Sequence, residues 1–390
     1  MRKTVLFDLD GTLLDTLQDI TSATNEILSR YGRAACTVAE MRDFVGNGAR
    51  HQFRSSWKGD ISEELLDEAL ELYRPYYAAH IPDTRPYDGI IELLKGLKAD
   101  GFRMAVVTNK PVLPTTSLCN KLLGDLVDVV VAESPERPKK PAPDMVEEAM
   151  RQLGVTRDDC VYVGDSEVDV ATGRNSGMPC YACTWGYRDT DVLLRSGADI
   201  LVDSAEELGR MLRCGEKSAR LMTLLKRRRS VRKFEDRPVE EEKIRALLSA
   251  ALLAPTSRSL SEVEYRAITD RTVIGFLAQC KEHGAGPLTT APLALVLTAD
   301  ADKADTWIED SSLAAIVLQL MAEELGLASC WIQMHLRKDE GDFDAEENVA
   351  RVLGLPKGRR CVCVLAIGYR AEEKEANREP SLKDLRIHRL

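Results

Sequence analysis

Two carboxylates, Asp8 and Asp10, stand two residues apart at the end of an apolar run, in the segment VLFDLDGTLLD of residues 5–15. Val5 to Phe7 reads as a short buried strand. Side chains at i and i+2 of a strand share a face, so both acids can point the same way where the strand stops. Anions that close repel each other unless a cation lies between them or one holds a proton. Gly11 and Thr12 break the strand, and the chain turns into an amphipathic helix. An acidic turn at an ordinary strand end would share the bare DxD spacing, so the rest of the chain has to decide.

Further strands end in chemically useful residues. The run RMAVVT (Arg103–Thr108) leads into Thr108, Asn109 and Lys110. A hydroxyl and a backbone N–H at a strand end can meet charge as it develops. Val127–Ala132 is a third apolar run. The fourth, Cys160–Val163, runs into GDSEVD and so places Asp165 and Asp169 just past its end. Between these two, PKKPAPD (residues 138–144) offers Lys139 and Lys140. As a bare pair they would be solvated surface, whereas a point cation beside the acids would neutralise them.

The elements between the strands are helical. Leu17, Ile20, Ala23, Ile27, Leu28 and Tyr31 recur at helical spacing, and Ser62–Ala79 and Met145–Leu153 read as helices. Val45–Arg50 (VGNGAR) is a loop or helix start. The pattern predicts a helical insertion over about 16–80 and a parallel sheet with its site at the strands' carboxyl ends.

In this order and spacing, the set resembles the haloacid dehalogenase (HAD) superfamily of phosphatases over residues 1–212. The resemblance implies a Rossmann-like α/β core with a helical cap and a small phosphorylated substrate. By position it makes Asp8 the nucleophile and Asp10 the acid and base. Thr108 becomes a donor to the phosphoryl oxygens and Lys140 the phosphate-binding cation, with Lys139 as the alternative. It places magnesium (Mg2+) on Asp8, Asp10 and Asp165, with Asp169 bracing the lysine and a metal-bound water. An oxygen-only set suits magnesium. Gly46, Asn47 and Arg50 resemble the cap segment that approaches substrate in phosphoglycolate-phosphatase-like members. A phosphomutase would keep the same nucleophile, so that alternative stays open.

The second half starts afresh. Residues 213–222 read as a linker, and LKRRRSVRKF (Leu225–Phe234) opens a new pattern over 223–390. Alone, such a basic run is a solvated or nucleic-acid-binding stretch. Followed by a helix over Glu240–Leu253 and then Ala254-Pro-Thr-Ser257, it resembles the nitroreductase family of flavin enzymes, an α+β fold. The resemblance implies FMN held by Arg228, Arg229, Ser230 and Arg232, with Arg378 reaching the phosphate. It also implies oxidation of NAD(P)H with delivery to an unknown electron acceptor, and a homodimer through the helix over Trp307–Gly326. That helix is apolar on nearly all faces from Leu313 to Met321, and a helix apolar all round is buried. One departure stands out: Glu262-Val263 occupies the place of the family's Pro-Trp. It favours the alternative of a flavin-binding or dimerisation module without turnover.

Composition excludes several other classes. At 390 residues the chain has room for two domains. Its 53 basic against 63 acidic residues leave a net charge of −10, which opposes general affinity for nucleic acid or anionic membrane. No apolar run approaches the roughly 20 residues that span a bilayer, and Met1-Arg-Lys leads straight into a strand without a signal peptide's apolar core. The ten cysteines are scattered, and Cys180-x-x-Cys183 lacks the second pair a zinc site needs. A reducing cytoplasm is the expected location.

Overall fold

The computed structural model describes residues 2–377, in two compact units that divide between Thr223 and Leu224. The first unit is built on a six-stranded parallel sheet. Its strand order is Val129–Glu133, Arg103–Pro111, Thr4–Phe7, Cys160–Gly164, Cys180–Cys183 and Ile200–Val202. Thr4–Phe7 is buried along its whole length, as a central parallel strand covered on both faces must be. Register then does the positioning. Phe7 lies opposite Val106 on one side and Val163 on the other. The residues after those three therefore emerge together at one edge of the sheet, and Asp8 N–H donates to the Val163 carbonyl at 2.8 Å.

Four helices, Leu17–Arg30, Val38–Phe44, Ala49–Ser56 and Glu63–Ala79, make the expected cap. Their starts are written locally. Thr37 and Glu40 form a reciprocal capping box, and Ser62 accepts from Leu65 N–H. Phe53, Trp57, Tyr73 and Tyr77 fill the interior of the cap, with Tyr73 and Tyr77 stacked at 5.4 Å between ring centres.

Three differences from the sequence reading matter. The strand expected to stop at Thr108 continues to Pro111, which carries Lys110 into the sheet edge. Two further short strands, Cys180–Cys183 and Ile200–Val202, extend the sheet beyond the four runs read from the sequence. Residues 213–222, read as a linker, are largely helical. Helix Ala205–Cys214 ends at Gly215 (φ +89), and a second helix, Glu216–Arg227, crosses the boundary with Glu216 paired to Arg220 at 3.0 Å. That i,i+4 pair supports a helix where composition suggested a break.

The second unit has a four-stranded antiparallel sheet, ordered Ala328–Gln333, Arg359–Gly368, Leu293–Asp300 and Val263–Ile268. Helix Trp307–Glu324 buries Ala314, Ala315, Leu318 and Ala322, yet leaves Leu313 and Ile316 exposed at 43% and 38%. The architecture is thus α/β with a helical cap, followed by α+β. Among the described residues, no helix is long and apolar enough to cross a membrane.

Candidate active site

At the carboxyl edge of the parallel sheet, four carboxylates meet two ammonium groups. Lys140 Nζ lies 2.8 Å from Asp8 Oδ1 and 2.8 Å from Asp169 Oδ1, and donates to Tyr162 OH at 2.9 Å. Asp169 is fully buried, and its Oδ2 accepts from Ser166 N–H and Oγ. Asp165 accepts from Thr12 Oγ1 at 3.0 Å and from Tyr187 N–H at 2.7 Å. Gly11 is held at φ +84 against this carboxylate, and a Cβ there would fall inside it. Only glycine meets both demands.

Burial raises the Asp8 carboxyl to about 7; Lys140 opposes that rise, and Asp169 and Asp10 add to it. Burial likewise pushes Asp165 well up, helped by Asp169 and Asp8. Lys140 runs the other way. Burial disfavours its charge, but Asp169 and Asp8 more than compensate and hold it well above the ordinary lysine range.

These residues fit a divalent cation. Oxygens of Asp8, Asp165 and Asp169 all lie within 4.8 Å of one another in a buried setting. Both Asp169 oxygens are engaged by Lys140 and Ser166, and both Asp165 oxygens by Thr12 and Tyr187, so all three carboxylates stand as candidate holders of the cation. Asp10, expected among the ligands, contributes no side-chain oxygen to this cluster. Its Oδ1 accepts from Thr16 Oγ1 at 2.7 Å and Lys110 Nζ at 2.8 Å.

Asp8, Asp10, Thr108 and Lys140 line one cavity of about 50 Å³. Lys139 instead pairs with Glu133 at 2.7 Å, is a third exposed and is outside the lining. The cap residues divide. Gly46 lines the cavity and its carbonyl accepts from Asn109 Nδ2 at 3.1 Å, but Asn47 is exposed and outside the lining. Arg50 is outside the lining and pairs within the cap with Glu63, at 2.9 Å, and with Asp67. The cavity's arginine is Arg188, from the loop after Cys180–Cys183. It donates to the carbonyls of Arg42 and Val45 on the cap and pairs with Glu167 at 2.9 Å. Lys110 and Arg188 were missed as site residues. Lys110 had only its place directly after the Thr108-Asn109 strand end as a local signal; Arg188 had none.

In the second unit, Arg228, Arg229 and Ser230 are half-buried and Arg232 is exposed. The segment lies alongside Ala328–Gln333, with Val231 N–H donating to the Ser329 carbonyl at 3.1 Å. Arg229 donates to the Glu375 carbonyl, and Arg232 N–H donates to Glu372 Oε1 at 2.6 Å. Arg378 lies outside the described residues. Glu262 is half-buried, after a loop in which Arg258, Ser259 and Ser261 hold φ of 51, 56 and 52. Non-glycine residues seldom adopt that conformation.

Comparison with known proteins places both halves. Residues 5–183 match the haloacid dehalogenase-like hydrolase family, and 225–283 with 267–369 match the nitroreductase family. A phosphoglycolate phosphatase 1 from Pseudomonas aeruginosa is 32% identical over 224 residues, covering 56% of this chain and 81% of that protein. The solved structure of a predicted phosphatase from Clostridium acetobutylicum is 30% identical, covering 55% of this chain and 100% of its own, with a TM-score of 0.51. An FMN-dependent nitroreductase from Clostridium difficile is 40% identical, covering 43% of this chain and 99% of its own, with a TM-score of 0.42. The chain therefore carries two enzyme domains, and belongs to the haloacid dehalogenase-like hydrolases through its first half and to the nitroreductase family through its second.

Proposed function

We propose that the first unit hydrolyses a small phosphomonoester through an aspartyl-phosphate on Asp8. The observation that carries this reading is Asp8 itself, a buried carboxylate 2.8 Å from the Lys140 ammonium in the lining of a small cavity. Asp8 attacks phosphorus, and Asp10 protonates the departing alkoxide. Asp10 then takes the proton of the water that hydrolyses the acyl phosphate. Lys140 and the Thr108 hydroxyl meet the phosphoryl oxygens, and Asp169 keeps Lys140 in place. Magnesium, held by Asp8 and Asp165, would supply electrostatic stabilisation of phosphoryl charge. It would also answer the imbalance of four carboxylates against two ammonium groups.

A cavity of about 50 Å³ favours a short substrate, and the phosphoglycolate phosphatases among the relatives make 2-phosphoglycolate the first to assay. Phosphate release with magnesium, against an Asp8→Asn control, tests the reading. Equal release by both proteins would end it.

For the second unit we propose an FMN-dependent NAD(P)H oxidoreductase acting as a homodimer. Arg228, Arg229 and Arg232 would hold the flavin phosphate and polar ring edge, since guanidinium forks bind both. The flavin would carry the hydride chemistry. The Leu313 and Ile316 face supports a second copy as partner, because exposed apolar residues one turn apart on an apolar helix call for cover. A visible spectrum tests the site. About one FMN released per chain and bleaching by NAD(P)H support turnover. Bound FMN that does not bleach would favour the flavin-binding module that Glu262 suggests. Ten free cysteines fit a reducing cytoplasm.

A further inference from the structure

Lys110 is the one lysine of the cavity to which the sequence reading gives no task. Its side chain is 3% exposed, and its ammonium has two partners on opposite sides of the site. One is Asp10 Oδ1 at 2.8 Å, on the core; the other is Tyr77 OH at 2.7 Å, at the end of cap helix Glu63–Ala79. The ammonium also sits 4.4 Å from the Tyr77 ring centre, and that ring is stacked on Tyr73. Burial holds the Tyr77 phenol well above its usual range, with Asp10 adding to the rise, so it meets the ammonium as a neutral hydroxyl. Thr16 Oγ1 brings a second donor to Asp10 Oδ1 at 2.7 Å. Among the described residues none donates to Asp10 Oδ2, and Asp10 lines the cavity. One carboxylate oxygen is thus tied by two donors and the other is left for proton traffic.

We infer that Lys110 is a positioning residue which, seated by Tyr77 of the cap, holds the Asp10 carboxyl group in register, so that in its protonated form it can pass its proton to the leaving group. The inference rests on the phosphatase reading above. In the step concerned, an Asp8 oxygen bonds to phosphorus and the phosphorus–ester oxygen bond breaks. The departing oxygen takes the Asp10 proton, leaving acyl phosphate on Asp8 and a free alcohol. A lysine that instead bound the substrate's phosphate would serve every substrate alike. A lysine that aims Asp10 matters only where the leaving group needs a proton.

The test compares two small substrates in kcat/KM, which reports the enzyme only through phosphoryl transfer to Asp8. Glycolate leaving from 2-phosphoglycolate needs the proton, whereas acetate leaving from acetyl phosphate does not. Lys110→Met is expected to lower kcat/KM for 2-phosphoglycolate by about 100-fold, the lower end for general acid catalysis, and for acetyl phosphate by less than about threefold. Lys110→Arg, which keeps a donor, should recover part of the loss. Tyr77→Phe should show the same selectivity more weakly. Lys110→Met combined with Asp10→Asn should be no worse than Asp10→Asn alone, because the two act as a unit.

Equal losses on both substrates, a rise in KM alone, no loss on 2-phosphoglycolate, or an additive double variant would each overturn the inference. If Lys110→Met fails to fold, Lys110→Arg and Tyr77→Phe decide by the same ratio of substrates. Failure of the underlying reading looks different: the unaltered protein would hydrolyse neither substrate above an Asp8→Asn control.

Discussion

Replacing Asp8 by Asn should abolish phosphatase turnover and yet, without metal, make the protein more tolerant of alkaline pH. Burial raises the Asp8 carboxyl from 3.8 to about 7, more than Lys140 can offset. A carboxyl whose pKa is higher folded than unfolded binds its proton more tightly in the folded state. Its contribution to stability is therefore present below the ordinary carboxyl range and lost as pH rises through about 7. At about 1.4 kcal/mol per pKa unit, the loss between pH 4 and pH 8 has a ceiling of ~4 kcal/mol. Asn cannot ionise and escapes it, while Lys140 keeps Asp169 as its partner. For a domain of this size 1 kcal/mol moves Tm by about 2–4 °C, so half the ceiling is several degrees. The assay is thermal unfolding of both proteins in chelator at pH 4 to 8, then with magnesium. The gap between wild type and variant should shift toward the variant as pH rises, and magnesium should stabilise the wild type only. If the gap is independent of pH, or magnesium raises Tm equally in both, the account of Asp8 as a buried, cation-seeking carboxylate is wrong.

Three more predictions concern the surroundings of the two sites. Lys140→Met leaves Asp8 and Asp169 buried without their cation; activity should vanish and chemical denaturation should show a loss of about 3 kcal/mol, the scale for breaking a buried pair. Arg188→Met removes the donors that tie Arg42 and Val45 of the cap to the core. Two hydrogen bonds of about 1 kcal/mol each should raise KM by about tenfold or more with kcat little changed, as steady-state kinetics would show. A Leu313→Glu, Ile316→Glu double variant places charge on the uncovered helix face of the second unit. Gel filtration should report monomer, and the visible spectrum should report loss of flavin while phosphatase activity persists.

Where chemistry is local to a strand end, the sequence determined it. Val5–Phe7 had to be a buried strand, and its register puts the following residues beside those after Val106 and Val163. The strand-end places of Asp8, Thr108 and Asp165 follow from that, whereas the sequence left Lys139 open against Lys140, and only the structure puts Lys140 beside Asp8 and Asp169. The start of a second pattern at the basic run was legible too, because composition and periodicity change there together. The reading failed where side chains from distant segments compete for one another. Arg50 has a motif's spacing but lies within reach of Glu63 and Asp67, which hold it outside the cavity. Arg188 closes the cap from a loop 143 residues beyond Val45. Lys110 joins residues 33 and 100 positions away. Periodicity sets which face a residue takes on its own element, but the neighbour it meets there depends on how the elements pack. That packing, rather than any motif, gave Asp10 its lysine, the cap its arginine and the Trp307–Glu324 helix its uncovered face.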